Sequence, residues 1–444
     1  RWHSPSSRRS EPLGQSLVQP ARGVASAAIP SGRRREGVDR YMGLRRMRAA
    51  DADNARRSRA VAAMACLRWR RAGVALGRHP AALPLRHRMR YALPADSLQR
   101  LFRTLKSGGR RLVGPTERDG AIVLDEIDGV DELVVGRTDR QSAARYRLES
   151  TGTSLHFDFN VGPQSAKRWL HPPSLRLFRA RSAGASFTVE RPPPPAPIAL
   201  VGARSCDLAA IAIQDRVFLG QHTDPHYASR RSDLLVVAVQ CGRASATCFC
   251  PSMGAGPRVT TGFDLCLTEL DAPHRFVVEV GSPAGQAIAD QLALDPAGAD
   301  ARAPEAAAAR AEAAIDKRLD TDGLRVRLLA ALDSPAWSEV ADRCLGCANC
   351  TMVCPTCFCT TVDDITTLDG AHDRVRRWDS CLTPESSHLH GHGPVRAELK
   401  DRYRQWLTHK LATWHDQFDS SGCVGCGRCV TWCPAGIDIV AEAQ

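Results

Sequence analysis

Eight of the seventeen cysteines in this 444-residue chain fall into two copies of one pattern. The copies are Cys344-Leu-Gly-Cys347-Ala-Asn-Cys350-Thr-Met-Val-Cys354-Pro355 and Cys423-Val-Gly-Cys426-Gly-Arg-Cys429-Val-Thr-Trp-Cys433-Pro434. Each is C-x2-C-x2-C-x3-C-P, the spacing of two-cluster ferredoxins. A tight turn aims three successive sulfurs at one centre, and the start of a helix sends the fourth toward the other cluster. The expected ligand sets are therefore crossed. Cys344, Cys347, Cys350 and Cys433 hold one 4Fe-4S cluster, and Cys423, Cys426, Cys429 and Cys354 hold the second. Gly346 and Gly425 suit close approach of backbone amides to inorganic sulfide. Zinc ribbons also use paired C-x2-C units, but four ligands in two pairs leave the third Cys and the trailing Pro of both copies without a role.

A second group, Cys206, Cys241, Cys248 and Cys250, lacks that regular spacing. Four thiols at strand ends and loops suit a third iron-sulfur cluster, and they suit equally the burial of free Cys as a small hydrophobe. Cys357, Cys359 and Cys381 are expected to pack on the dicluster region without ligating. Cys66 and Cys266 have no partner pattern. His388, His390 and His392 read as a loop whose imidazoles hydrogen-bond near a cluster and tune it. Arg204, Arg230 and Arg231 read as solvated surface arginines.

The elements that position these residues change character along the chain. Leu98, Leu101, Phe102 and Leu105 follow helical spacing after a cap at Asp96 or Ser97. Short strands are expected at Ala121 to Leu124, Leu155 to Val161 and Ser186 to Val189. The Pro192 to Pro197 connector leads to a strand at Ile198 to Val201, a loop through Cys206 and an amphipathic helix to Phe218. Further strands are expected at Leu234 to Val239 and Phe276 to Val280, and an Ala-rich helix at Ala301 to Ile315. The 68 residues between the repeats exceed the needs of a compact ferredoxin hairpin, and helical spacing runs from about Val395 to Trp414. The predicted class is α+β, with a mixed α/β region over residues 89–330 and an α-helical ferredoxin-type dicluster domain over residues 331–444.

The formal charge of +12 is confined to one end. Residues 1–88 hold 20 Arg, no Lys and five acids, whereas the rest of the chain holds 40 bases and 43 acids. That Arg, Ala, Ser and Gly composition without apolar periodicity predicts a disordered basic extension, with the folded protein starting near Met89. Two Trp and one Tyr offer little base stacking there, so a nucleic-acid partner is not expected. No apolar stretch follows Arg8-Arg9, which argues against an export signal, and no run approaches 18 apolar residues. A cytoplasmic location is expected, where clustered thiols serve as metal ligands more readily than as disulfides. No Gly-x-Gly-x-x-Gly follows a strand and no Walker loop occurs, so substrate chemistry is expected on other chains.

Several of these segments carry a family resemblance. Val201-Gly-Ala-Arg-Ser-Cys-Asp-Leu-Ala-Ala-Ile211, Thr247-Cys-Phe-Cys250, Cys354-Pro-Thr-Cys-Phe-Cys359 and Trp378-Asp-Ser-Cys381, with the paired motifs, resemble the β subunit of cytoplasmic nickel-iron sulfhydrogenases. The arrangement is also similar to that of the iron-sulfur chain of anaerobic sulfite reductase. The resemblance covers about Met89 to Gln444. It implies a non-catalytic subunit that relays electrons between the small and large subunits of a nickel-iron hydrogenase and a flavin-containing NAD(P)-binding partner. The alternative it implies is the electron-entry subunit of an anaerobic sulfite or polysulfide reductase.

Overall fold

The structure, a computed structural model, describes residues 88–183 and 186–444. The expectations for the basic extension up to residue 87, Cys66 included, lie outside the described residues. Everything described belongs to one compact unit, Gly77–Gln444.

Fourteen strands matter to the argument. In chain order they are β1 Arg90–Pro94, β2 Arg111–Arg118, β3 Ala121–Ile127, β4 Arg137–Ser142, β5 Arg145–Ser150, β6 Ser174–Ala183 and β7 Ser186–Glu190. They continue as β8 Ile198–Ala203, β9 Leu235–Val239, β10 Leu265–Leu270, β11 Arg275–Val280, β12 Asp295–Pro296, β13 Thr360–Thr366 and β14 Ala371–Trp378. Eight form a mixed sheet in the order β12-β1-β11-β10-β9-β8-β2-β3, parallel from β10 through β2 and antiparallel on both flanks.

The parallel centre follows from composition. All five residues of Leu-Val-Val-Ala-Val in β9 are buried, the continuous apolar run of a strand covered on both faces. Alternate residues of β8 face opposite layers. Ala199 and Val201 pack with Leu98, Leu101, Phe102 and Leu105 of the predicted helix, now Leu98–Ser107. Ile198 and Leu200 pack with Leu208, Ile211 and Phe218 of the helix Ser205–Phe218, which crosses from β8 to β9.

A second sheet, β13-β14-β6-β7, is antiparallel throughout. Its β13-β14 hairpin lies in the interval between the two cysteine repeats, so that interval holds paired strands as well as a helix. The predicted helix from Val395 begins at Leu399, because Arg402 takes the carbonyls of Arg396 and Ala397 and holds the preceding residues as a loop. It runs to Thr408, loosens into a π turn at His409–Thr413 and resumes as Trp414–Phe418. Trp337, Tyr403, Trp406, Leu407, Leu411 and Ile439 form the core of this helical end.

Leu155 to Val161 is not a strand. Glu269 accepts the amides of His156 and Phe157, Arg204 takes the carbonyls of Phe157 and Phe159, and Asp139 accepts the Asn160 amide. Side chains thus satisfy backbone groups that a neighbouring strand would otherwise have to pair.

Candidate iron-sulfur centres

The two repeats fold alike. Gly346 and Gly425 have φ of 61° and 63°, and Ala348 and Gly427 two residues on have φ of 62° and 74°. In each copy the glycine amide donates to the sulfur of the first Cys at 3.4 Å, from Gly346 to Cys344 and from Gly425 to Cys423. A four-residue helical turn follows, Asn349–Met352 in one copy and Arg428–Thr431 in the other. That turn carries the fourth Cys away from the first three.

The consequence is a crossed pair of cavities. One is lined by Cys344, Cys347, Cys350 and Cys433, walled by Leu382, Tyr403, Trp406, Ile437 and Ile439. The other is lined by Cys354, Cys423, Cys426 and Cys429, with Lys410, Arg428, Trp406 and Phe249. Cys429 and Trp406 belong to both, so the cavities share a wall.

A third cavity gathers Cys206, Cys241, Cys248 and Cys250, and Cys426 forms its boundary with the second. It lies beyond the carboxyl ends of parallel strands β8 and β9, where open α/β sheets place their ligands. Cys206 begins the helix after β8, Cys241 follows β9, and Cys248 and Cys250 come from the loop beyond. The three cavities are of similar size.

The donor set fits iron-sulfur ligation. Burial pushes the Cys248 and Cys423 thiols up to about 12, and it raises Cys206, Cys350 and Cys429 as well. Free thiols in these places stay protonated and unproductive, whereas metal binding displaces their protons. Four sulfurs around each cavity are the ligand count of a 4Fe-4S cluster.

The second cavity is the cationic one. Burial opposes the charge on Lys410, but the sulfurs of Cys354, Cys357 and Cys423 outweigh it and hold the ammonium well above its ordinary range. Lys410 Nζ donates to Cys354 Sγ at 3.4 Å, Gly422 O at 3.1 Å and Thr356 Oγ1 at 3.2 Å. The π turn places it there, in keeping with the concentration of such turns at functional sites.

Close packing joins the second and third cavities. Phe249 N donates to Gly425 O at 2.8 Å, and the Thr247 and Thr431 hydroxyls meet at 2.9 Å. A Cβ on Gly425 would lie 2.6 Å from the Phe249 carbonyl, so only glycine allows this approach.

The structure also places the remaining candidates. Cys357 lies beside Cys354, and it, with Lys410 and Lys167, holds the Cys354 thiol well below its ordinary value against the cost of burial. Cys359 and Cys381 lie beside each other at the base of the β13-β14 hairpin. Cys266 is wholly buried in β10. His388, His390 and His392 are exposed and line none of the cavities described, contrary to the tuning role expected from their spacing. Arg204 is not solvated: it is buried, lines the third cavity and binds three carbonyls, of Gln240, Phe157 and Phe159. Arg231 is buried against Asp215, and Arg230 is partly buried. Sequence reasoning missed Lys410 and Arg428 because their roles depend on which cavity wall they reach, for which no local spacing is diagnostic.

The chain is similar to known proteins. The 4Fe-4S dicluster domain family matches residues 343–437. Sulfhydrogenase 2 subunit beta of Pyrococcus furiosus is 31% identical over 365 residues, which is 79% of this chain and 97% of that relative. No solved structure matches the chain. Among the described residues, no helix is long and apolar enough to cross a membrane.

Proposed function

This chain belongs to the sulfhydrogenase beta-subunit family, and on that premise we propose that it relays electrons between a nickel-iron hydrogenase module and a flavin-containing NAD(P)-binding partner. The observation that carries the proposal is the row of three contiguous cysteine cavities, joined through Cys429 and Trp406 and then through Cys426. Cys344, Cys347, Cys350 and Cys433 would hold the first cluster, Cys423, Cys426, Cys429 and Cys354 the second, and Cys206, Cys241, Cys248 and Cys250 a third. Bound clusters supply reversible one-electron chemistry.

The protein's own contribution is ligation, exclusion of water and electrostatics. Tyr403, Trp406, Ile437 and Ile439 give the first cavity an apolar wall, while Lys410 and Arg428 place cations beside the second. Low dielectric strengthens those charges.

Iron and sulfide analysis of the anaerobically purified chain tests the cofactor content: about twelve irons support three cubanes and about eight support two. Zinc in their place would sink the reading. The relay itself is tested in the native complex with Cys426→Ala. Hydrogen evolution from NAD(P)H should collapse while hydrogen-dependent reduction of an artificial dye at the hydrogenase module persists. Unchanged NAD(P)H-driven activity would remove the relay.

A further inference from the structure

A different set of side chains, away from the cysteine cavities, converges on one point. We propose that His156, Glu269 and His274 bind a zinc ion, with water completing its coordination.

The ligand atoms of these three residues all lie within 4.8 Å of one another. Glu269 Oε1 is 2.9 Å from His274 Nε2 and 3.4 Å from His156 Nδ1. Neighbouring ligands on zinc, with bonds of about 2.0–2.1 Å, stand about 2.9 Å apart at the octahedral limit and about 3.4 Å at the tetrahedral one. The two imidazoles stack at 5.4 Å and 26°. Two imidazole nitrogens and a carboxylate oxygen form a His2Glu donor set, suited to a borderline divalent metal.

The surroundings are those of a built site. The three side chains are 12%, 8% and 17% exposed, so the set is largely withdrawn from solvent. His156 Nδ1 is buried, and its nearest partner is Glu269 Oε1 at 3.4 Å. A buried polar atom without a close partner has lost its water and gained little in return. A His-Glu-His network pairs that atom only at the long distance of 3.4 Å, whereas a metal bond satisfies it fully.

Outer contacts orient the ligands. Glu269 is fixed by the His156 amide at 2.8 Å on Oε1 and the Phe157 amide at 2.9 Å on Oε2. Ser154 Oγ lies 3.3 Å from His274 Nδ1, a hydrogen bond that can hold the tautomer with its Nε2 lone pair free. Such second contacts are usual behind metal-bound histidines.

The site has a structural consequence. Glu269 lies in β10 and His274 immediately before β11, on paired strands, while His156 belongs to the irregular segment 155–161. The ion would pin that segment to the sheet. The same segment supplies Asn160 and Val161 to the third cysteine cavity, so zinc would brace that cavity's wall from outside. Zinc has no redox chemistry, which keeps the site out of the electron path.

The test uses the full chain purified anaerobically and equilibrated with zinc, then freed of excess. Metal analysis should find about one zinc per chain, with zinc-edge X-ray absorption showing only nitrogen and oxygen neighbours. His274→Ala should lose that zinc while keeping iron, sulfide and circular dichroism unchanged, and His274→Asp should retain it. If His274→Ala does not accumulate, His156→Gln makes the same comparison, because its main-chain bond to Glu269 remains. Absence of zinc from the unaltered chain, equal zinc in the alanine variant, sulfur in the zinc shell or another element at the site would each overturn the proposal. Iron is counted separately, so failure here and failure of the cluster reading remain distinct.

Discussion

Arg428 and Asp207 stand 221 residues apart in sequence, yet Arg428 Nη2 donates to Asp207 Oδ1 at 2.7 Å with side chains 1% and 3% exposed. Arg428 precedes Cys429 and Asp207 follows Cys206, so the pair ties the second cysteine cavity to the third. Burial opposes the Arg428 charge, but Asp207 and the Cys426 and Cys206 sulfurs outweigh it and raise its pKa. Removing one partner of such a pair leaves a buried charge uncompensated, at a cost of about 3–5 kcal/mol. Arg428→Met should therefore destabilise the chain by that order in chemical unfolding. The Arg428→Met, Asp207→Leu double variant should regain much of the loss. Additive losses would show that the two residues act independently.

Crossed ligation is tested at the fourth cysteines. Cys433→Ala should abolish the paramagnetic signal of the centre held by Cys344, Cys347 and Cys350, and Cys354→Ala that of the other. Loss of the sequence-adjacent centre in either variant would contradict the crossing.

Iron stoichiometry reports on the third cavity. Cys248→Ala should lower the count by about four irons per chain and leave both dicluster signals in place. An unchanged count would mean that the four middle thiols are buried cysteines and nothing more.

Lys410 gives a prediction about potential. An ammonium 3.4 Å from Cys354 Sγ stabilises added negative charge, so Lys410→Met should make the second centre harder to reduce. The midpoint potential of that centre should shift negative in a redox titration, with little change at the first. An equal shift at both centres would mean a general change in folding.

His171 gives a prediction about pH. Burial, with Arg376 and Lys167 adding to it, lowers its pKa to about 3 from the ordinary 6.5. Neither ring nitrogen has a hydrogen-bond partner, and the ring packs 4.7 Å from Phe218. The unfolded chain takes up the proton below about pH 6.5 and the folded chain does not, so stability is present above that value and is lost as pH falls. Between pH 7 and pH 5 this one group should cost about 2 kcal/mol. His171→Phe should lessen the acid-side drop in melting temperature by the corresponding amount, and identical pH slopes would refute the assignment.

Local chemistry made much of the protein legible before folding was considered. The cysteine repeats depend on short-range geometry, since the tight turn of each copy needs Gly346 or Gly425 and no distant partner. Helical spacing at Leu98 to Leu105 and the unbroken apolar run of β9 likewise announce which faces are buried, because burial follows side-chain type. Long-range neighbours decided the rest. Phe157 and Phe159 alternate as in a strand, but Glu269, Arg204 and Asp139 satisfy the backbone there and no strand forms. Arg204 and Arg428 look like ordinary surface cations in sequence, and only the fold buries them against carbonyls and Asp207. The four middle cysteines have no diagnostic spacing because separate strand ends bring them together. Residue types and their spacing set the kind of chemistry, through ligands that a tight turn can present. How the cysteine cavities adjoin, and which charges stand beside them, came only with the fold, because those relations are made by packing between segments far apart in the chain.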